Sequence, residues 1–199
     1  MLTQDASNAS QRYVATQSVT LQRKPGRQRG LTMVELSVVL VIAALLIAAV
    51  FTALRANQRR VEVQNNQNQI TQIASDLQGK FGRTGQYANT TLALAIQSRA
   101  IPEELRIGTG TTAQNGYGGL IALAAATCTV ANDCMNLTWA QVPQSQCMDL
   151  VIGTQNVARR IQVNAVDVKA LDGTLNLANL ATNCEAAGVV PIIYSVGRG

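Results

Sequence analysis

From Leu36 to Leu54 the chain carries no charged residue, and apolar side chains cover every face that a helix could present. Nineteen residues at a rise of about 1.5 Å each reach roughly 28 Å, close to the roughly 30 Å of a bilayer core. A segment of this kind enters or spans a membrane. The helical pattern does not stop there. Neither Gly nor Pro occurs between Leu31 and Gln78, so a single helix of about 48 residues and roughly 70 Å is permitted. Its second half is amphipathic, with Ile70, Ile73, Ala74, Leu77 and Phe81 at helical spacing, a stripe suited to docking on a folded domain. Residues 64–69 are polar on all sides and read as a solvated or subunit-facing stretch before that domain begins. Gly79, Gly82 and Gly85 are expected to end the helix.

Ahead of the apolar segment, residues 1–22 are polar and lack a sustained apolar period, a composition that predicts disorder. RKPGRQRG follows, a basic stretch closing on Gly30. Residues 1–30 hold Arg12, Arg23, Lys24, Arg27 and Arg29 against Asp5, which is +4 of the chain's formal +5. The remainder is nearly neutral, with one Trp, two Phe and three Tyr. It lacks the basic, aromatic-interleaved surface of a single-strand nucleic-acid binder, so no nucleic-acid partner is expected.

Beyond the helix the pattern is mixed α+β. A short helix is expected over Thr91–Arg99, then a break at Ile101-Pro102 and a Gly/Thr-rich loop, GTGTTAQNGYGG. Strands are expected at Leu120–Ala124, Asn136–Val142, Arg160–Val168 and Pro191–Val196. Pro143 opens a helix bearing Cys147, Leu150 and Val151 at i, i+3 and i+4, and a helical or turn segment around Leu175–Ala187 carries Cys184. The 199 residues suffice for one compact domain plus an appendage.

The four cysteines, Cys128, Cys134, Cys147 and Cys184, form no CxxC pair, and the chain has no histidine. Disulfides in an oxidising compartment fit this better than zinc. Without histidine a nucleophilic cysteine lacks its usual activator, which counts against an enzyme and against a metal or other cofactor. A membrane-tethered binding or enzymatic domain would have Asp149 or the Arg159-Arg160 pair as its best candidates. Neither sits in a motif, and both read as a solvated helix face and a strand rim.

The most informative unit is RQRG-LTMVEL-SVVLVIAALL. A secretory signal places its cleavage site after the apolar stretch, whereas here the distinctive residues precede it. The unit resembles the class III signal of type IV prepilins and related pseudopilins. That resemblance implies cleavage after Gly30 by an aspartyl prepilin peptidase, N-methylation of Leu31, and an assembly role for Glu35. Glu35 also has a local physical logic. A carboxylate at mid-membrane costs about 2.5–3.5 kcal/mol and less near the interface. It can pair with a neighbouring subunit's terminal amine, or simply snorkel to the headgroups and favour the helix N-terminus.

Further on, ALAIQSRAIPEEL, NGYGGLIAL, LTWAQVPQSQCMDLV and LATNCEAAGVVPIIYSV are similar to stretches of type IVb pilins, the group that includes bundle-forming, toxin-coregulated and plasmid thin-pilus pilins. The resemblance implies a type IV pilin fold, in which a long N-terminal hydrophobic helix packs on an antiparallel-sheet globular head. Its organisation would be a leader over 1–30, a transmembrane and fibre-core half-helix over 31–54, and the rest of the helix with the head over 55–199. In that family a disulfide ties the helix after a VP turn to the final sheet, which maps onto Cys147 and Cys184 and leaves Cys128 and Cys134 for a small local loop. The implied function is a major pilus subunit, with a minor pilin or pseudopilin as the alternative. The implied partners are other copies of the chain, the prepilin peptidase/N-methyltransferase, the inner-membrane assembly machinery and the membrane. The head would face the periplasm before assembly and lie on an extracellular pilus afterwards.

Overall fold

The computed structural model describes residues 32–82, 87–108, 110–186 and 188–197. The first helix, α1, runs Met33–Leu77. The chain divides within it, between Leu46 and Ile47, into two compact units. In the N-terminal unit the described residues are the start of α1 and little else. The second unit contains the head.

Where α1 reaches the head, Ile70, Ile73, Ala74 and Leu77 are all buried and Phe81 packs against the same core, because residues spaced three and four apart share one helix face. The stretch 64–69 departs from the sequence expectation. Asn66 is buried, its Oδ1 accepting from Trp139 Nε1 at 3.1 Å and its Nδ2 donating to the Glu62 carbonyl at 2.9 Å. Gln67 Nε2 donates to the Asp149 carbonyl at 2.8 Å. The head therefore begins at least one turn earlier than the apolar stripe indicates, through a polar contact that satisfies a buried indole N–H. The helical run ends at Gly82, one of the three glycines expected to end it. Gln78–Gly82 form a π-helical turn, so Gly79 lies inside the helical run, and Gly85 lies outside the described residues.

The sheet has five antiparallel strands: β3 (Ile121–Ala126), β4 (Cys134–Pro143), β5 (Arg160–Val163), β6 (Val166–Lys169) and β7 (Val189–Gly197), in the order β3-β4-β7-β5-β6. The Gly/Thr-rich loop contributes a separate small pairing of β1 (Arg106–Ile107) with β2 (Thr112–Ala113). In β4, Leu137, Trp139 and Val142 all point into the core although 139 and 142 are three apart. A bulge between Trp139 and Val142 absorbs the extra residue, with Gln141 at φ 57° on the exposed side. The single strand expected over Arg160–Val168 is a hairpin instead. Asn164 (φ 51°) and Ala165 (φ 64°) make a tight two-residue turn, and Asn164 Nδ2 donates to the Asn183 carbonyl at 2.9 Å, which helps hold this left-handed conformation.

Helix α2 (Leu92–Gln97) is capped by Thr91, whose side chain accepts from the Leu94 N–H at 3.2 Å. Helix α3 (Gln144–Thr154) starts directly after Pro143, and Asn176 caps α4 (Leu177–Glu185) by accepting from the Asn179 N–H at 3.1 Å. Cys147, Leu150 and Val151 of α3 and Leu180 of α4 join Trp139, Ile192 and Tyr194 of the sheet and the α1 stripe in one core. Each large apolar side chain buried there contributes about 1.5–3 kcal/mol.

Cys147 and Cys184 are joined, with their Cα atoms 5.7 Å apart. The bond ties α3 to α4 rather than to the final sheet, since Cys184 sits on the helix that leads into β7. A sequence separation of 37 gives a loop whose closure contributes roughly 4 kcal/mol in the chain-entropy model. Cys184→Ser is therefore expected to lower head stability by about 3–4 kcal/mol, read as a drop in denaturant midpoint. An unchanged midpoint would mean that this bond contributes nothing to the head.

Candidate assembly and processing site

The N-terminus of α1 is built around Thr32 and Glu35. Thr32 precedes the helix, and its Oγ1 accepts the Glu35 backbone N–H at 3.3 Å. That satisfies one of the four N–H groups that a helix start leaves without internal partners. Thr-x-x-Glu is the sequence signature of such a cap, a signal that was available in the chain and passed over. The Glu35 carboxylate lies in the first turn, where the positive end of the helix dipole favours it, and it is exposed. Gly30 and Leu31 lie outside the described residues.

Every large apolar side chain from Leu36 to Leu54 is at least half exposed, and none of the helix's most apolar eighteen-residue window is buried. The helix is long and apolar enough to cross a membrane. Its two hydroxyls are already satisfied within the helix: Ser37 Oγ donates to the Val34 carbonyl at 2.7 Å and Thr52 Oγ1 to the Ala49 carbonyl at 2.8 Å. No donor on this segment is left to pay the cost of burial in lipid or among other helices. Glu35 is its only charge before Arg55.

In the head, Cys128 and Cys134 close a seven-residue loop, Cα atoms 5.7 Å apart. Asp133 lies beside the two sulfurs, but these are bonded to each other and offer no thiolate to a metal. The carboxylate is spent on the loop itself, accepting the backbone N–H groups of Cys128 (2.7 Å), Thr129 (2.8 Å) and Val130 (2.9 Å). Desolvation works to raise its pKa, but these three donors outweigh that effect and hold Asp133 well below the usual carboxylate range. A lowered folded-state pKa contributes stability that is present above the unfolded value near 4 and lost as pH falls through the folded value. Asp133→Asn is accordingly expected to cost about 1–2 kcal/mol at neutral pH and to flatten the stability profile below about pH 4. Parallel acid-unfolding curves for wild type and variant would contradict this.

Asp149 is exposed on α3, in keeping with a solvated helix face. Arg159 does not match the strand-rim expectation. Its side chain is only 13% exposed, pairs with Asp172 through two nitrogens and lies 3.9 Å from Asp133. The hydrogen bond from Arg159 holds Asp172 below its ordinary pKa and raises that of Arg159. Arg159 thus links the disulfide loop to the segment after β6, a structural role. Arg160, more exposed, lies 3.6 Å from Asp167.

A family model described as PilS N terminal matches residues 60–195, and a second, the prokaryotic N-terminal methylation motif, matches residues 25–51. No curated protein matches the sequence significantly. Among solved structures, the chain is similar to a type IV b pilin from Salmonella typhi at 19% identity and a TM-score of 0.54, over 68% of this chain and 99% of that one. It is also similar to TcpA, a type IV pilin from Vibrio cholerae El Tor biotype, at 14% identity and a TM-score of 0.46, over 66% of this chain and 98% of that one. The methylation motif spans Gly30, Leu31 and Glu35 together with most of the exposed apolar run, and the PilS model covers well over half of the chain. With a long N-terminal helix on an antiparallel-sheet head, the chain belongs to the PilS family of type IVb pilins.

Proposed function

We propose that the chain is the major structural subunit of a type IVb pilus. It is cut after Gly30, N-methylated at Leu31, held in the inner membrane by residues 31–54 with its head in the periplasm, and then polymerised with other copies into an extracellular filament. The prepilin peptidase/N-methyltransferase and the inner-membrane assembly machinery are its partners on the way. The observation that carries this reading is the apolar half of α1, exposed along its length and bearing one carboxylate at its start. Such a surface needs lipid before assembly and other apolar helices after it. Two disulfides in the head fit an oxidising space outside the cytoplasm. The pilin family is structural, and the polar side chains around Asp133 and Arg159 are engaged in holding loops.

Quantitative mass spectrometry of sheared, purified filaments tests the major-subunit assignment. This chain is expected to make up the bulk of filament protein. Its presence only as a trace beside another abundant pilin would make it a minor subunit.

A further inference from the structure

Immediately beyond Leu54 come Arg55, Arg59 and Arg60, all exposed. None of the three is in an ion pair among the described residues, and no acidic residue intervenes before Glu62. Arg55 and Arg60 are separated by about 7.5 Å of helix rise, close to the roughly 5–7 Å depth of the headgroup layer beyond a bilayer core. With the apolar segment ending at Leu54, all three guanidinium groups fall at headgroup level, and Arg side chains are long enough to adjust their depth. A guanidinium also matches a phosphodiester with paired hydrogen bonds.

A second feature lies beside them. Arg59 and Arg60 line a cleft of about 480 Å³ between α1 and α3, together with Ser145, Gln146 and Asp149. Gln146 is only 6% exposed and its Nε2 donates to Glu62 Oε2 at 2.9 Å, while its Oε1 has no hydrogen-bond partner. That oxygen is itself enclosed, so the accessible acceptor in the cleft is the exposed Asp149 carboxylate. The cleft thus combines phosphate-binding cations, Arg59 and Arg60, with an accessible acceptor, Asp149, for a donor a few bonds away. A phosphoglycerol headgroup has this layout: one anionic phosphodiester and a terminal diol.

We propose that Arg55, Arg59, Arg60 and the Gln146 cleft form a binding site for the headgroup of phosphatidylglycerol in the leaflet on the head side, fixing the depth of α1 before the subunit leaves the membrane. The proposal rests on the reading that the apolar half of α1 lies in a bilayer, but its readout requires neither cleavage after Gly30 nor filaments.

The test uses the full chain extracted in detergent, with retained lipid counted by native mass spectrometry during titration with phosphatidylglycerol or phosphatidylcholine. Roughly tenfold or greater preference for phosphatidylglycerol is expected, and its loss in an Arg55→Gln/Arg59→Gln/Arg60→Gln variant whose two disulfides and Trp139 fluorescence remain normal. Soluble glycerophosphate should not displace the lipid. Equal retention of the two lipids overturns the proposal. So does a preference that survives in the triple variant, or displacement by free glycerophosphate at comparable concentration. Failure of the pilus reading would appear separately, as a mature N-terminus other than Leu31.

Discussion

Cells whose only copy of this chain carries Glu35→Val are expected to make processed, membrane-inserted, correctly folded subunit and almost no filaments. In the bundle formed by neighbouring apolar helices, we propose that the Glu35 carboxylate pairs with the Leu31 amine of an adjacent subunit. Removing one partner of a buried pair costs about 3–5 kcal/mol, because the other charge is left without compensation. At 1.4 kcal/mol per decade this is a loss of at least about a hundredfold in the equilibrium for each added subunit. The purely local alternative predicts far less. The Thr32 cap holds the Glu35 backbone N–H, so it survives the substitution, and the lost carboxylate–dipole interaction is worth only about 0.3–1 kcal/mol. Pilus counts by electron microscopy separate the two accounts. Normal numbers from Glu35→Val would refute the assembly role, and loss of cleavage as well would place Glu35 in peptidase recognition.

Gly30→Glu is expected to have an equally large effect at an earlier step. A long charged side chain replaces the smallest residue at the proposed scissile bond, so the precursor should accumulate uncut, without methyl groups and without pili. The head should be unaffected, since its core and both disulfides are assembled from residues beyond Glu62. The same precursor lacks a free Leu31 amine, so its assembly defect should persist when Glu35 is intact. Immunoblots of membrane fractions report the size difference directly. Mature-sized subunit at wild-type levels would contradict cleavage at this position.

The parts of the fold that were legible in the sequence are those carried by local pattern. The apolar run and the Gly- and Pro-free stretch marked α1, and the period of Ile70, Ile73, Ala74 and Leu77 marked its buried face. The strands β3, β4 and β7 stood out as short apolar segments between turn residues. What was missed depends on tertiary partners. Asn66 looks like one more polar residue in a polar stretch until Trp139, 73 positions away, supplies an indole N–H. The β5–β6 turn lacks the glycine that usually betrays a tight hairpin, because Asn164 holds it through a bond to Asn183. The bulge at Gln141 breaks strand alternation without Gly or Pro to announce it. Arg159 found its partners in Asp172 and Asp133, one on each side in sequence, a juxtaposition that only the folded sheet creates. At the candidate site the balance is reversed. Gly30, Leu31 and Glu35 were singled out by motif, whereas the structure adds the Thr32 cap and the exposure of the helix around it.

The most direct measurement is the intact mass and N-terminal sequence of the chain isolated from filaments of its own host. Cleavage after Gly30 predicts a single species that begins at Leu31, carries one N-methyl group and retains both disulfides. A chain beginning within or after Ala53–Ala56, as ordinary signal-peptidase cleavage beyond the apolar segment would leave it, or one still beginning at Met1, would contradict the account.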